Sequence, residues 1–419
     1  MSSLNQLLTG GAVCAMAVAV AAPAGAQIAY TRDHNKSVRE RAYEEHRPLG
    51  IRTGGFLLLP QLDLGVEFND NIYAAATNET DDTIITASPS VALESQWSVH
   101  RLNLTGGVTT RNFLDADNDN VVDWRIGADG QIDINRDMYL TGNVFTGQQT
   151  ESRFSGTGPA ALVEPIEFDV TKAGAAFVRN VNRIRATLGA DYANYDFKNG
   201  RFPGGAVFLQ DDRDHEAWDV FGRLDYAISP DTAIFGSVTK RTRSYDLTTL
   251  NRDSDGWRYL AGANFDLSAK VRGEIGLGYS TTSYDSPLLQ DVDGFSATGR
   301  LEWFPTQLTT ITIDGLRDTV ESDIAGASGV ERTGAGIRVD HELRRDIVLN
   351  AEVYNDQDSY QAIDRDDDRT RFEVGADWYV NRAVTAGVAY QRFSQNSSGV
   401  NKDRDFDVNQ VMFTVSLRR

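Results

Sequence analysis

The chain has 419 residues, of which 41% are hydrophobic and 24% are charged, and its formal net charge at pH 7 is −19. Such an acidic balance argues against nucleic-acid binding, because domains that bind nucleic acids present a basic face. The longest uncharged stretch after the first 31 residues, Met138–Thr150, has thirteen residues. A membrane-spanning helix needs about 18, so a helical membrane bundle is excluded.

Residues 1–26 are predicted to be a secretory signal peptide. An apolar run, Leu7–Ala22, precedes the small residues Ala24–Ala26, which form a cleavage site of the small-x-small type. A buried N-terminal helix is the less favoured alternative. The single cysteine, Cys14, lies inside the apolar run. A mature chain that starts at Gln27 therefore has no disulfide and must be held together in another way.

Residues 27–53 are predicted to be a periplasmic N-terminal tether. They include RDHNKSVRERAYEEHRP, which mixes both charge signs and has few apolar residues. This composition favours a solvated segment over a strand. Contact with peptidoglycan or with a partner protein is the alternative.

From residue 54 to residue 419 the sequence alternates between apolar and polar positions, which is typical of strands with two different faces. Val122, Trp124 and Ile126 fall on one face, whereas Asp123 and Arg125 fall on the other. Similar runs begin near residues 218, 257, 271 and 372. They exceed ten residues, whereas a strand of a soluble protein usually has about five or six. The alternation therefore predicts many long strands.

The connections between these strands are of two kinds. Eight short turns, at residues 97, 136, 182, 230, 269, 305, 345 and 381, recur about every 41 residues, and nine longer polar loops lie between them. Short turns at one end and long loops at the other are typical of outer-membrane barrels. The pattern predicts an all-β, transmembrane, antiparallel up-and-down barrel of 18 strands over residues 54–419. Sixteen strands is the alternative, and an even number places both termini on the periplasmic, short-turn side.

A closed barrel satisfies every backbone hydrogen bond in the hydrocarbon layer without leaving a sheet edge. The apolar face then meets lipid, and aromatic side chains are expected near both membrane interfaces. Eight aromatic residues on that face lie near predicted strand ends: Phe68, Trp124, Trp218, Tyr226, Trp257, Phe295, Trp303 and Trp378. These positions support an outer-membrane location.

Residues 47–74, RPLGIRTGGFLLLPQLDLGVEFNDNIYA, together with 95–104, 122–140 and the C-terminal VMFTVSLRR, carry a family resemblance. Over roughly residues 48–419 the chain resembles the second putative beta-barrel porin family of proteobacterial outer-membrane proteins. The resemblance implies an outer-membrane location and a channel role, and some relatives imply a part in exopolysaccharide export. It carries over no catalytic residues. The terminal strand is similar to the signal that the barrel-assembly machinery recognises, although two arginines follow Leu417.

Signals of enzymatic chemistry are weak, so the chain is predicted not to be an enzyme and to need no metal or cofactor. His34, His46, His100, His215 and His341 are scattered along the sequence. His215 and His341 each follow an aspartate, but neighbouring residues on a strand point to opposite faces. The run from Asp115 to Asp119 begins like a calcium loop and then lacks its glycine and its final glutamate. An outer-membrane hydrolase is the less favoured alternative.

The polar faces carry both charge signs in close succession, which would be prohibitive in a dry core and is acceptable in a wet lumen. Fifteen of these side chains are predicted to line the pore: Arg125, Asp129, Arg223, Asp225, Arg272, Glu274, Arg300, Glu302, Arg338, Asp340, Glu342, Glu352, Arg371, Glu373 and Asp377. They either select solutes or only make the wall rigid through cross-strand pairs.

The sequence thus predicts a porin-like channel for small hydrophilic solutes, with a mild preference for cations. The alternatives are an outer-membrane component of an exopolysaccharide export system and a purely structural barrel. The expected partners are outer-membrane lipid and lipopolysaccharide, the barrel-assembly machinery, periplasmic chaperones and, for the export alternative, polysaccharide-export proteins. Nucleic acid is not an expected partner.

Overall fold

The computed structural model describes residues 36–41, 43–154, 161–247, 251–267, 270–322, 324 and 326–419. The predicted signal peptide, residues 1–26, lies outside these residues. The described part of the chain contains no helix that is long and apolar enough to cross a membrane. Its helical elements are short 3-10 helices, at Val38–Glu40, Glu44–His46 and Asp117–Asp119.

Eighteen long antiparallel strands form one sheet. They are β2 (Phe56–Asn69), β3 (Asp82–Ser95), β4 (Arg101–Phe113), β5 (Val121–Asn135), β6 (Met138–Thr150), β7 (Glu167–Val181), β8 (Ile184–Phe197), β11 (His215–Ser229), β12 (Thr232–Tyr245), β13 (Ser254–Leu267), β14 (Val271–Tyr284), β15 (Val292–Thr306), β16 (Thr309–Val320), β17 (Val330–Arg344), β18 (Ile347–Tyr360), β19 (Asp366–Tyr379), β20 (Val384–Ser398) and β21 (Phe406–Arg418). Three short strands accompany them: β1 (Ile51–Thr53), β9 (Gly200–Arg201) and β10 (Val207–Phe208).

The sheet closes on itself between its first and last long strands. β2 pairs with β21 from Gln61 opposite Arg418 to Asn69 opposite Gln410, while every other long strand pairs with its neighbours in sequence. Closure removes the unpaired edges that an open sheet would leave in lipid. The predicted all-β antiparallel barrel of 18 strands is therefore confirmed, and the alternative of 16 strands is wrong.

The two ends of the barrel differ as predicted. β11 and β12 are joined by two residues between Ser229 and Thr232, and β17 and β18 by two residues between Arg344 and Ile347, whereas β6 and β7 are separated by residues 151–166. The first residue of β2 and the last residue of β21 both lie at the short-turn end, because β2 and β21 are antiparallel. That this end faces the periplasm stays a prediction.

The outer face of the wall is apolar and carries the predicted aromatic residues. All eight are among the exposed large hydrophobic side chains of the barrel, with Phe295 and Trp378 each 50% exposed. Five lie near the long-loop end of their strands and three near the short-turn end, namely Tyr226, Trp303 and Trp378. Two aromatic belts of this kind are what an outer-membrane barrel needs at its two interfaces.

The described part of the segment predicted as a solvated tether, residues 36–41 and 43–53, contacts the barrel and contains the short strand β1, and its role as a periplasmic tether stays a prediction. β1 pairs with β2, with Ile51 opposite Leu58 and Thr53 opposite Phe56. β3 pairs with the same stretch of β2 on its other edge. β1 therefore lies on the edge of β2 that pairs with β21 from Gln61 onward. It thereby supplies hydrogen-bond partners to the part of β2 that extends beyond β21. A three-residue strand is too short to show an alternation in sequence.

Candidate channel lumen

All fifteen predicted pore residues lie on the face of the wall opposite the apolar one. In β11, for example, Arg223 and Asp225 are buried, whereas the intervening Leu224 is 61% exposed on the lipid side. A strand places successive side chains on opposite faces, so the polar face of each strand points into the barrel. Whether these residues select solutes stays a prediction.

The first group of predicted pore residues meets around Arg223. Its Nε donates to Asp225 Oδ1 at 3.0 Å, and its Nη1 and Nη2 donate to the two carboxylate oxygens of Glu274 at 2.9 and 2.8 Å. The guanidinium carbon also lies 3.8 Å from the centre of the Phe235 ring. β11 and β14 are three strands apart in the sheet, about 14 Å along the wall. Their side chains meet because this face is concave, which identifies it as the lumen side.

A second group links three neighbouring strands, β17, β18 and β19. Arg338 donates to Asp340 at 3.0 Å and to one oxygen of Glu352 at 2.8 Å, while Arg371 donates to the other oxygen of Glu352 at 2.8 Å. Asp340 is almost fully buried, with 1% of its surface exposed. Charge-assisted hydrogen bonds of this kind offset the cost of removing such a carboxylate from water.

A third group lies on β14, β15 and β16. Glu302 pairs with Arg272 across the strands and with Arg300 at 3.4 Å, and Arg300 also lies 3.5 Å from Asp314. The five remaining predicted pore residues have other neighbours. Glu342 pairs with Arg41, Asp129 accepts from Asn103, Glu373 accepts from Asn350, and Arg125 and Asp377 line a cavity that is described below.

A further set of charged residues, not predicted from the sequence, lies toward the long-loop end of the lumen. Arg241 of β12 reaches Asp318 of β16 at 2.7 Å, and Arg258 of β13 lies 3.5 Å from the same carboxylate. The alternation was present in β12, but the outer face there carries Lys240 and Thr242. Hydropathy therefore does not distinguish the two faces at that end of the strand.

The ion pairs are distributed unevenly around the circumference of the lumen. They concentrate on β11–β19, whereas the opposite side, formed by β2–β6 together with β19–β21, holds a cavity of about 330 Å³. Its polar lining is mostly amide and hydroxyl groups, including Gln61, Ser88, Thr109, Gln148 and Ser416. The cavity extends along the wall from Tyr379, at the short-turn end of β19, to Thr150, at the long-loop end of β6.

Residues 151–154, the described start of the loop after β6, lie at the long-loop mouth of the barrel. Phe154 is buried there against the inward-facing rings of Phe393 and Phe406, at centroid distances of 5.9 and 6.5 Å. Arg153 pairs with Asp119 at 2.6 Å, and its carbonyl oxygen accepts from Arg404 at 2.7 Å. The loop after β6 is thus fastened to the loops after β4 and β20.

Three of the residues that could have suggested catalysis or metal binding, His215, His341 and Asp119, have structural partners, and His34 lies outside the described residues. The His215 ring stacks between Tyr195 and Tyr245 at 4.9 and 5.0 Å, and His341 is hydrogen-bonded to the Thr309 hydroxyl at 3.0 Å. Asp119, the last acidic residue of the calcium-like run, pairs with an arginine as described above. Within the described ranges, no three His, Cys, Asp or Glu side chains are grouped so that they could hold a metal ion.

A family model of a β-barrel porin matches this chain. The family model described as Putative beta-barrel porin 2 matches residues 44–419, whereas no curated protein matches the sequence. The fold is similar to the crystal structure of the outer membrane protein OpdK from Pseudomonas aeruginosa, at 10% identity and a TM-score of 0.47, covering 86% of this chain and 99% of that one.

Two further structures are similar at the level of fold. OccAB3 from Acinetobacter baumannii is 10% identical, with a TM-score of 0.48, and the match covers 88% of this chain and 100% of that one. A BenF-like porin from Pseudomonas fluorescens Pf-5 is 11% identical, with a TM-score of 0.47, and the match covers 86% of this chain and 99% of that one. Because the family model spans nearly all of the chain, the resemblance noted in the sequence is confirmed. The chain belongs to the Putative beta-barrel porin 2 family and is an outer-membrane β-barrel of the porin type.

Proposed function

We propose that small hydrophilic solutes diffuse passively through the side of the lumen formed by β2–β6 and β19–β21. The observation that carries this proposal is the cavity of about 330 Å³, which runs along the wall between side chains that offer hydroxyl, amide and carboxylate groups. Such groups replace the hydration of a polar solute, as pore linings do in general. The ion-pair groups are concentrated on the other side of the lumen, on β11–β19.

The charges that line this cavity favour cations. Four carboxyl groups, those of Asp63, Glu67, Asp123 and Asp377, line it together with two guanidinium groups, those of Arg125 and Arg418. In a narrow passage with walls of low dielectric constant, an excess of one sign raises the local concentration of the opposite ion. We therefore propose a mild preference for cations. Under a salt gradient across a planar bilayer, a reversal potential that favours anions would contradict it.

Removing carboxylates from the cavity is expected to weaken this preference. The double variant Asp63→Asn and Asp123→Asn keeps the size of both side chains and deletes two negative charges, so the reversal potential should move toward that of a non-selective pore. The matched control is Asp137→Asn, which deletes a charge from the exposed turn between β5 and β6. Equal shifts in the double variant and in the control would show that the cavity is not the conduction path.

The same preparation tests the exopolysaccharide alternative. Simple passage of small solutes predicts that added oligosaccharides leave the single-channel current nearly unchanged. Long-lived blockade by oligosaccharides would favour the export component, and loss of surface polymer on deletion of the protein would support it further. The proposal assigns no catalytic step to the chain, and its partners are outer-membrane lipid and lipopolysaccharide, the barrel-assembly machinery and periplasmic chaperones.

A further inference from the structure

The N-terminal segment, here residues 36–41 and 43–46, lies inside the short-turn mouth of the barrel. The amide of Val38 donates to the Thr310 hydroxyl at 3.0 Å. Thr310 is the second residue of β16 and lies on the same face of that strand as Asp314, four residues later. Asp314 pairs with Arg300 of the third ion-pair group, so this face is the lumen face. Val38 is 1% exposed and Ser37 is 5% exposed. Backbone of the N-terminal segment is therefore buried against the inner wall.

Local sequence fixes the fold of this segment. Ser37 and Glu40 form a capping box, in which the Glu40 amide donates to Ser37 Oγ at 3.3 Å and the Ser37 amide donates to Glu40 Oε2 at 3.1 Å. A capping box satisfies two backbone donors that would otherwise lack partners at the start of a helical turn. The turn places Glu40 and Arg41 next to each other, facing wall residues of opposite charge.

Two ion pairs hold the N-terminal segment to the wall. Glu40 lies 2.5 Å from Arg272 of β14, and Arg41 lies 2.9 Å from Glu342 of β17. Burial raises the pKa of Glu40, but the Arg272 guanidinium outweighs that effect and holds the pKa of this carboxyl below its usual value. Glu40 is therefore charged at neutral pH, and its pair with Arg272 is intact there.

Aromatic contacts hold the other end of the segment beside the cavity that Tyr379 lines. The Tyr43 ring stacks on Tyr379 at 5.1 Å, and the His46 ring lies 5.9 Å from the same ring. Arg382, in the turn after β19, donates to the carbonyl oxygen of Glu45 at 3.1 Å. Tyr379 also lines the cavity proposed above as the solute path. The N-terminal segment thus runs from β14 to the end of that cavity.

We propose that residues 36–41 and 43–46 form a constriction that sets the conductance of the channel at its short-turn mouth. A segment that only strengthened the wall would have no reason to cross six neighbouring strands and end against the solute cavity. The inference rests on the proposed channel function. Its consequence is that the narrowest part of this mouth is built by the N-terminal segment as well as by the barrel strands.

Deletion of residues 36–46 from the full chain tests the inference. With the constriction removed, single-channel conductance in a planar bilayer should roughly double or more, because conductance follows the open cross-section of a pore. The folded fraction is checked by the shift in gel mobility on heating. Conductance equal to that of the unmodified protein would overturn the inference and leave the channel function standing, whereas absence of current in both proteins would overturn both.

A disulfide across the contact provides a second test that keeps the whole chain. Val38→Cys and Thr310→Cys place a thiol on each of two residues that are now joined by a hydrogen bond from the Val38 amide to the Thr310 hydroxyl. The only other cysteine in the sequence is Cys14, in the predicted signal peptide. We expect the bond to form under mild oxidation and to leave conductance at the unmodified level. Failure of the cross-link to form in the folded protein would overturn the docked position. The matched control pairs Val38→Cys with Thr319→Cys, at the long-loop end of β16, which should not cross-link.

Discussion

Replacing Arg223 by methionine is expected to lower the free energy of unfolding by about 3 kcal/mol, because it removes the cation that Asp225 and Glu274 share on the inner face of the wall. The Arg223 and Asp225 side chains are 7% and 1% exposed, and Glu274 is 23% exposed. Arg223 gives Glu274 two parallel hydrogen bonds and also covers the Phe235 ring. Methionine retains most of the apolar stem, so the loss of stability reports the contribution of the Arg223 charge and its hydrogen bonds.

The measurement is urea-induced unfolding of the protein in detergent micelles, followed by tryptophan fluorescence. Arg392→Met is the matched control, because Arg392 pairs with Asp407 at 3.1 Å while both side chains are more than half exposed. An exposed pair contributes about 0–1 kcal/mol. If the two variants unfold at the same denaturant concentration, the group around Arg223 does not stabilise the wall.

Placing a methyl group at Gly262 is expected to destabilise the barrel by about 2 kcal/mol through overpacking. Gly262 of β13 lies beneath the inward-facing Phe235 ring of β12, so a Cβ there would be 2.7 Å from Phe235 Cζ and would also contact the carbonyl oxygen of Ile275. A ring can move, but a strand carbonyl of the closed sheet cannot move without disturbing its ladder. The Gly262→Ala variant should therefore fold less efficiently and lose its heat-shifted gel mobility at a lower temperature.

A neighbouring glycine provides the control for this prediction. Gly236 of β12 faces lipid, and a Cβ at that position would have no atom within 4 Å. Gly236→Ala is expected to leave stability unchanged or slightly raised, since alanine has fewer unfolded conformations to lose than glycine. Equal behaviour of the two variants would show that the packing of Phe235 over Gly262 does not limit the wall.

Much of the barrel was predictable because its signals are local. The alternation around Trp124 and Ile126 assigns each side chain to one of two faces, and two-residue turns such as the one after Ser229 fix where strands reverse. These features depend on a few consecutive residues and on the period of a strand. The count of 18 strands, the lipid face and the equivalent position of the two termini followed from them.

The candidate lumen was predictable only in part. Alternation placed Arg223 and Glu274 on the inner face, but their contact depends on the curvature of the closed sheet over three strands. Arg241 was missed because the outer face of β12 is polar at the same end. The clustering of ion pairs on β11–β19, which leaves a cavity on the other side, is a property of the whole circumference. No window of sequence contains it.

The position of the N-terminal segment in the fold depends on contacts that are distant in sequence. Its composition, with both charge signs and few apolar residues, is that of a solvated tether. In the folded protein those charges meet opposite charges far away in the chain, since Glu40 and Arg272 are 232 residues apart. By itself the sequence determined the barrel, its strand number and its two faces, because a strand period and a turn are set by neighbouring residues. Only the tertiary structure decided where the ion pairs form, where the cavity lies and where residues 36–41 and 43–46 bind, because those features require distant strands to be brought around a common interior.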